Sequence, residues 1–153
     1  MRIRHLIFAI LWIALFSCNG KKTAQENDKI ITSVEEQRDI LYQEVIAVHD
    51  EVMPKMQEIV ALQEKLRVQI DSLNEVDSTS EITSSLNEVN LMLKNADDAM
   101  MNWMREFKPE MNAKEVENEE ALTYLRNEMD RIIEVQKVVN ESIENAHTFL
   151  DKQ

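Results

Sequence analysis

From about residue 30 onward, apolar residues recur every three or four positions, in three runs. The first run is Val34, Leu41, Val45, Val48, Val52, Met56, Ile59, Leu62, Leu66, Ile70 and Leu73. The second is Ile82, Leu86, Val89, Leu93, Ala96, Met100, Trp103 and Phe107, and the third Leu122, Leu125, Met129, Ile132, Gln136, Val139, Ile143, Ala146 and Leu150. This spacing lays each run along one face of a helix. It predicts helices over about 31–74, 79–107 and 113–150. No segment alternates apolar and polar residues as a half-buried strand does, and no glycine follows Gly20.

The interruptions are equally readable. "DSTSE" ends the first run, with Ser78 and Glu81 spaced as a capping box, and Pro109 ends the second. Asn112 and Glu115 repeat the capping spacing before the third run. Two short polar turns between three amphipathic helices predict an all-α fold, an elongated antiparallel three-helix bundle spanning 30–153. An unbroken first helix would be about 65 Å long at 1.5 Å per residue. Gln136 falls on the third stripe, where an isolated polar residue can fix register. A longer coiled coil completed by dimerisation is the alternative, so a monomer and a homodimer both fit.

Ahead of the bundle the pattern changes. "MRIRHLIFAILWIALFSC" has Arg2 and Arg4, an apolar run from Leu6 to Phe16, then Ser17 and Cys18. A basic start, a short apolar stretch and a small residue make a secretory signal. The run is shorter than the roughly 20 residues of a membrane-spanning helix. "LFSC" resembles the lipobox of bacterial lipoproteins, which implies 1–17 as signal peptide and Cys18 as the lipidated residue. An ordinary signal peptide or an uncleaved anchor are the plainer readings. Residues 18–29 continue as a polar, aperiodic tether through "NGKKTAQENDK". The expected product is tied to a membrane by its acyl chains, each buried methylene adding about 0.8 kcal/mol. Asn19, in place of aspartate, favours the outer membrane, with the folded part periplasmic or surface-exposed.

Composition then narrows the partners. Cys18 is the only cysteine, so no internal disulfide forms. The formal charge is −12, and removal of Arg2 and Arg4 with the signal makes it −14. Such a surface repels nucleic acid and anionic lipid headgroups. Catalysis has little to stand on. His5 leaves with the signal, which leaves His49 and His147. Glu144 and His147 have the Glu-x-x-His spacing of helical di-iron proteins, but no second pair accompanies them. Long helices without glycine offer no oxyanion-stabilising turn. The expected cofactor is none, and the expected class is a non-catalytic binding or structural module.

One stretch departs from plain helix. "HDEVMPKM" puts Pro54 inside the first helix, with His49, Met53 and Met56 along one side. An interior proline costs about 3 kcal/mol, by losing a hydrogen bond and crowding the carbonyl four residues back. The second helix carries Met100, Met101, Trp103 and Met104 in "AMMNWMREF". With the first turn near residue 78, antiparallel geometry sets Met56 opposite Met100, and Met53 opposite Trp103 and Met104. Thioether and imidazole ligands suit Cu(I) or Ag(I), and an indole face attracts a cation. Methionine also simply fills irregular space around a kink, and exposed methionine surfaces bind peptides or proteins. Packing is the simplest of the three.

The "LFSC" lipobox, the "VHDEVMPKM" block and the "DDAMMNWMREFKP" block together resemble small helical lipoproteins of the Bacteroidota. That resemblance implies a cell-envelope location and a three-helix body. It brings no activity, and the one functional residue it carries over is Cys18.

Overall fold

A computed structural model describes residues 33–77 and 81–152. The signal peptide, Cys18, the tether and the Ser78 cap lie outside the described residues. Residues 32–153 form one compact unit with its own hydrophobic core. The described residues are all helical, with no strand, and make three packed helices, the first divided in two. In chain order these are α1 (Val34–Val52), α2 (Lys55–Asp77), α3 (Glu81–Glu106) and α4 (Asn118–Leu150), with a 3-10 turn at Pro109–Asn112 before α4.

The helices start and stop for local reasons. Ser33 caps α1 by accepting from the Glu36 N–H at 3.1 Å. Ser33-x-x-Glu36 is a capping-box spacing that places the start at Val34 rather than residue 31. At the other end, Met53 still has helical angles and donates to the His49 carbonyl. Pro54 has no N–H to continue the ladder, and the Met56 N–H donates to the Met53 carbonyl, only three residues back, at 3.1 Å. The predicted single helix over 31–74 is therefore two helices joined by a bend.

That bend changes partners. α1 packs along α4, whereas α2 packs along α3 and touches α4 only sparsely. α1 makes no close backbone approach to α3. Arg38 meets Asn118 and Lys55 meets Asn140, so the first helix runs parallel to α4. Glu106 pairs with Arg131, and Ser142 donates to the Met92 carbonyl, so α3 and α4 are antiparallel.

The third helix begins five residues later than predicted. Asn112 does not cap it; Glu117 is the capping position, with no side-chain bond. Pro109 seeds a 3-10 turn, and Ala113 is extended, which carries the chain around the end of α1 before α4 can start. Lys108 donates its backbone N–H to the Tyr124 hydroxyl at 2.6 Å, which pins this connection onto α4.

The core confirms most of the stripes. Val45, Val52, Ile59, Leu66, Leu86, Leu93, Met100, Leu125, Ile132 and Val139 are buried. Ile82 is not; it is exposed, and Thr83 faces inward instead. α4 departs further. Its buried line runs through Leu125, Glu128, Ile132, Val135, Val139, Ser142 and Ala146. Met129, Gln136 and Ile143 are half-buried beside it. Gln136 is thus not the buried polar residue of α4; Glu128 and Ser142 are. α4 packs against α1 on one side and α3 on the other, so it needs a wider buried face than one two-position seam. No helix among the described residues is long and apolar enough to cross a membrane.

Candidate functional site

The methionine and aromatic side chains meet where α1 and α3 diverge. Trp103 is 3% exposed and stacks on Phe107, one turn along α3, at 4.9 Å between ring centroids. The His49 ring lies 5.6 Å from the Trp103 ring, tilted by 31°. Phe107 in turn contacts Tyr42 of α1 and Tyr124 of α4, each at 6.2 Å. These rings bridge a gap that the backbones leave open, and they do so because aromatic side chains reach furthest.

Register differs from expectation by one turn. Trp103 was expected opposite Met53, and its partner is His49. α1 has no close backbone contact with α3 to hold it at the extrapolated register, because its packing partner is α4. Met53 follows His49 by one turn on the same flank. Met100 is fully buried, and Met53, Met56 and Met104 are half-buried against the core. Met101 does not join them. It is 45% exposed, on the outer flank of α3. His49 Nδ1 is 2.9 Å from an Asp50 carboxylate oxygen, so that nitrogen is engaged on its own helix.

His147 stands apart from this layer. Its Nε2 lies 2.7 Å from Glu58 Oε1, a pair that ties α4 to α2. Both side chains are about half exposed, 50% and 46%. Among the described residues, no group of three or more His, Cys, Asp and Glu side chains is placed to hold a metal ion.

Two buried charges were not anticipated. Arg38 is 3% exposed and donates to Asn118 Oδ1 at 3.1 Å and to Asp39. It occupies the gap between Val34 and Leu41 in the first stripe, and that gap was the available signal. Glu128 is also 3% exposed, three residues after Leu125 and four before Ile132. One of its oxygens accepts from Arg131 at 2.9 Å, and the other is buried without a partner. Burial opposes the charge on Arg131, but its bonds to Glu128 and then Glu106 outweigh that and raise its pKa. Burial also pushes the Tyr124 hydroxyl up, against the N–H that Lys108 donates to it. The Trp103 indole N–H is likewise buried and unpaired.

The chain matches no protein-family model, no curated protein and no solved structure.

Proposed function

We propose that the protein is a lipid-anchored lipoprotein of the cell envelope, one of the small helical lipoproteins of the Bacteroidota that it resembles, and that its helical part is a non-catalytic binding or structural module. The observation that carries the anchor is Cys18, the sole cysteine, directly behind the basic and apolar leader. The bundle supports the second half of the reading. Its polar contacts are dispersed ion pairs and helix-to-helix bonds, such as Arg38 with Asn118 and Glu58 with His147, rather than groups converging on one reacting atom. In the mature protein the helical bundle, tethered through Cys18, would present its helix faces to an envelope protein or peptide.

Metabolic labelling with a radioactive fatty acid tests the anchor. The wild type should incorporate label, and Cys18→Ser should not, leaving an unprocessed precursor. Label on the serine variant, or none on the wild type, would overturn the assignment.

A second reading is a soft-metal protein for Cu(I) or Ag(I). His49 over Trp103, with Met53 one turn on, favours it. The ligands would come from His49, Met53, Met56, Met100 and Met104. Against it stands the complete burial of Met100 among aliphatic neighbours, which core packing explains without a metal.

A further inference from the structure

Where α3 stops and α4 starts, a cleft of about 530 Å³ lies between the two helices and the Pro109–Asn112 turn. That is the size of a small-molecule site. Arg105, Lys108 and Arg131 bring three cations to its wall, and Glu106, Glu110 and Glu128 three carboxylates. On a mature chain of −14 the cleft is thus formally neutral. Its charges favour neither a simple anion nor a simple cation. Among the described residues, no carboxylates are grouped to hold a metal ion.

The wall holds bonding capacity that the fold does not use. Arg131 reaches from α4 to α3, bonding Glu128 at 2.9 Å and also Glu106. Glu128 is 3% exposed, and its second oxygen is buried without a partner. Tyr124 lies one turn earlier on α4, on the same flank. Burial is the first cause that raises the Tyr124 pKa, and the Glu128 and Glu110 carboxylates raise it further against the Lys108 N–H. The Glu128 carboxylate therefore lies between Arg131 and the Tyr124 hydroxyl, on the cleft side of α4. At the rim, Lys108 and Arg105 are exposed and have no ion-pair partner among the described residues. Arg105 bonds only Asn102, at 2.7 Å.

An unpaired carboxylate oxygen in the core line of a helix costs stability, and such exceptions concentrate at functional positions. A ligand N–H would satisfy it. Reaching that oxygen takes the turn of a covering side chain, a small change of a kind common on binding. An ammonium group suits it best, because its bonds to carboxylate are charge-assisted. The rings of Phe107 and Tyr124 also line the cleft, and aromatic rings attract a cation. The unpaired charges of Lys108 and Arg105 are then left for a carboxylate. An α-amino acid carries both groups on one carbon.

We propose that the cleft between the end of α3 and the start of α4 binds a free α-amino acid, its ammonium at Glu128 and its carboxylate at Lys108 and Arg105. This rests on the reading of the bundle as a binding module and names a ligand class for it. It is independent of the anchor. Failure of fatty-acid labelling would leave the cleft intact, and failure of amino-acid binding would leave both the anchor and the helix faces intact.

The test is saturation-transfer NMR of residues 32–153, the compact unit, with each of the standard amino acids. At least one should show transfer, and calorimetry then gives its affinity. The N-acetyl and the carboxamide forms of that amino acid should each bind at least about tenfold more weakly. Glu128→Met removes the buried charge and should weaken binding at least about tenfold, with helical circular dichroism unchanged. Lys108→Gln, at an exposed position, should weaken the amino acid severalfold and leave the carboxamide form unaffected. Arg67→Gln, on the outer face of α2, should shift binding less than about twofold. Transfer from none of the amino acids would overturn the proposal. So would undiminished binding of the N-acetyl form, which marks an anion site, or of the carboxamide, which marks a cation site. Equal losses in Glu128→Met and Arg67→Gln would overturn it as well.

Discussion

The imidazole of His49 and the indole of Trp103 face each other at 5.6 Å across two helices whose backbones never come close. α1 packs along α4 and leaves α3 to its long side chains, whereas α2, beyond Pro54, packs along α3 itself. The proline sits at the point where the first helix exchanges one neighbour for another, α4 before it and α3 after it. A straight helix could follow only one of them.

Pro54→Ala restores an N–H to the ladder and removes the ring's clash with the carbonyl of Asp50. The buried residues Arg38, Val45 and Val52 still hold α1 on α4, so the exchange of partners should persist. Urea denaturation should show a gain in stability of up to about 3 kcal/mol, with the Trp103 emission maximum unchanged. A loss of stability, or a shifted maximum, would mean that the proline itself maintains the bend.

Glu128 places a carboxylate in the core line of α4, with one oxygen unpaired. Replacing such a group with an apolar side chain of similar volume is often neutral or stabilising, and Arg131 keeps Glu106 as a partner. Glu128→Met should therefore stabilise the fold by about 1 kcal/mol in chemical denaturation. Gln136→Leu, at a half-buried position, should change it by less than about 0.5 kcal/mol. A large loss in Glu128→Met would identify the ion pair as a structural requirement.

These two residues also mark the limit of what the sequence reveals. The stripes of α2 and α3 were legible because hydrophobicity and burial coincide there, from Ile59 to Ile70 and from Leu86 to Trp103. On α4 two stripes compete. Met129, Gln136, Ile143 and Leu150 are the more apolar set, yet Glu128, Val135 and Ser142 are the ones buried. Periodicity selects a face to within about one residue; the choice between flanks depends on which helices stand on either side. The break at Pro54 was visible, but the exchange of partners that it permits was not, since that is a property of three helices together. The late start of α4 was hidden for a similar reason. Asn112 and Glu115 have capping spacing, but the chain must first round the end of α1.

The soft-metal reading makes a demand that packing does not. Cu(I) or Ag(I) held by His49 and Met53 should quench Trp103 emission, and His49→Ala with Met53→Leu should abolish both quenching and binding. Met101→Leu should leave them unchanged, because Met101 lies on the outer flank. Titration of residues 32–153, in which Trp103 is the only tryptophan, reads each outcome directly. Unaltered emission at saturating Ag(I), with a double variant that is merely less stable, assigns the methionines to the core.

The same ring contact supports a prediction that needs no ligand. Among the described residues, His49 is the histidine whose ring meets Trp103, 5.6 Å away and tilted by 31°. Trp103 is 3% exposed, and the imidazole is part of what covers it. His49→Ala should therefore shift Trp103 emission to the red while helical circular dichroism stays constant. His147 cannot substitute, since its partner is Glu58 on the far side of the Pro54 bend. His147→Ala should leave the emission as in the wild type. An emission maximum unchanged in His49→Ala would show that α1 and α3 do not hold this pair of rings together in solution.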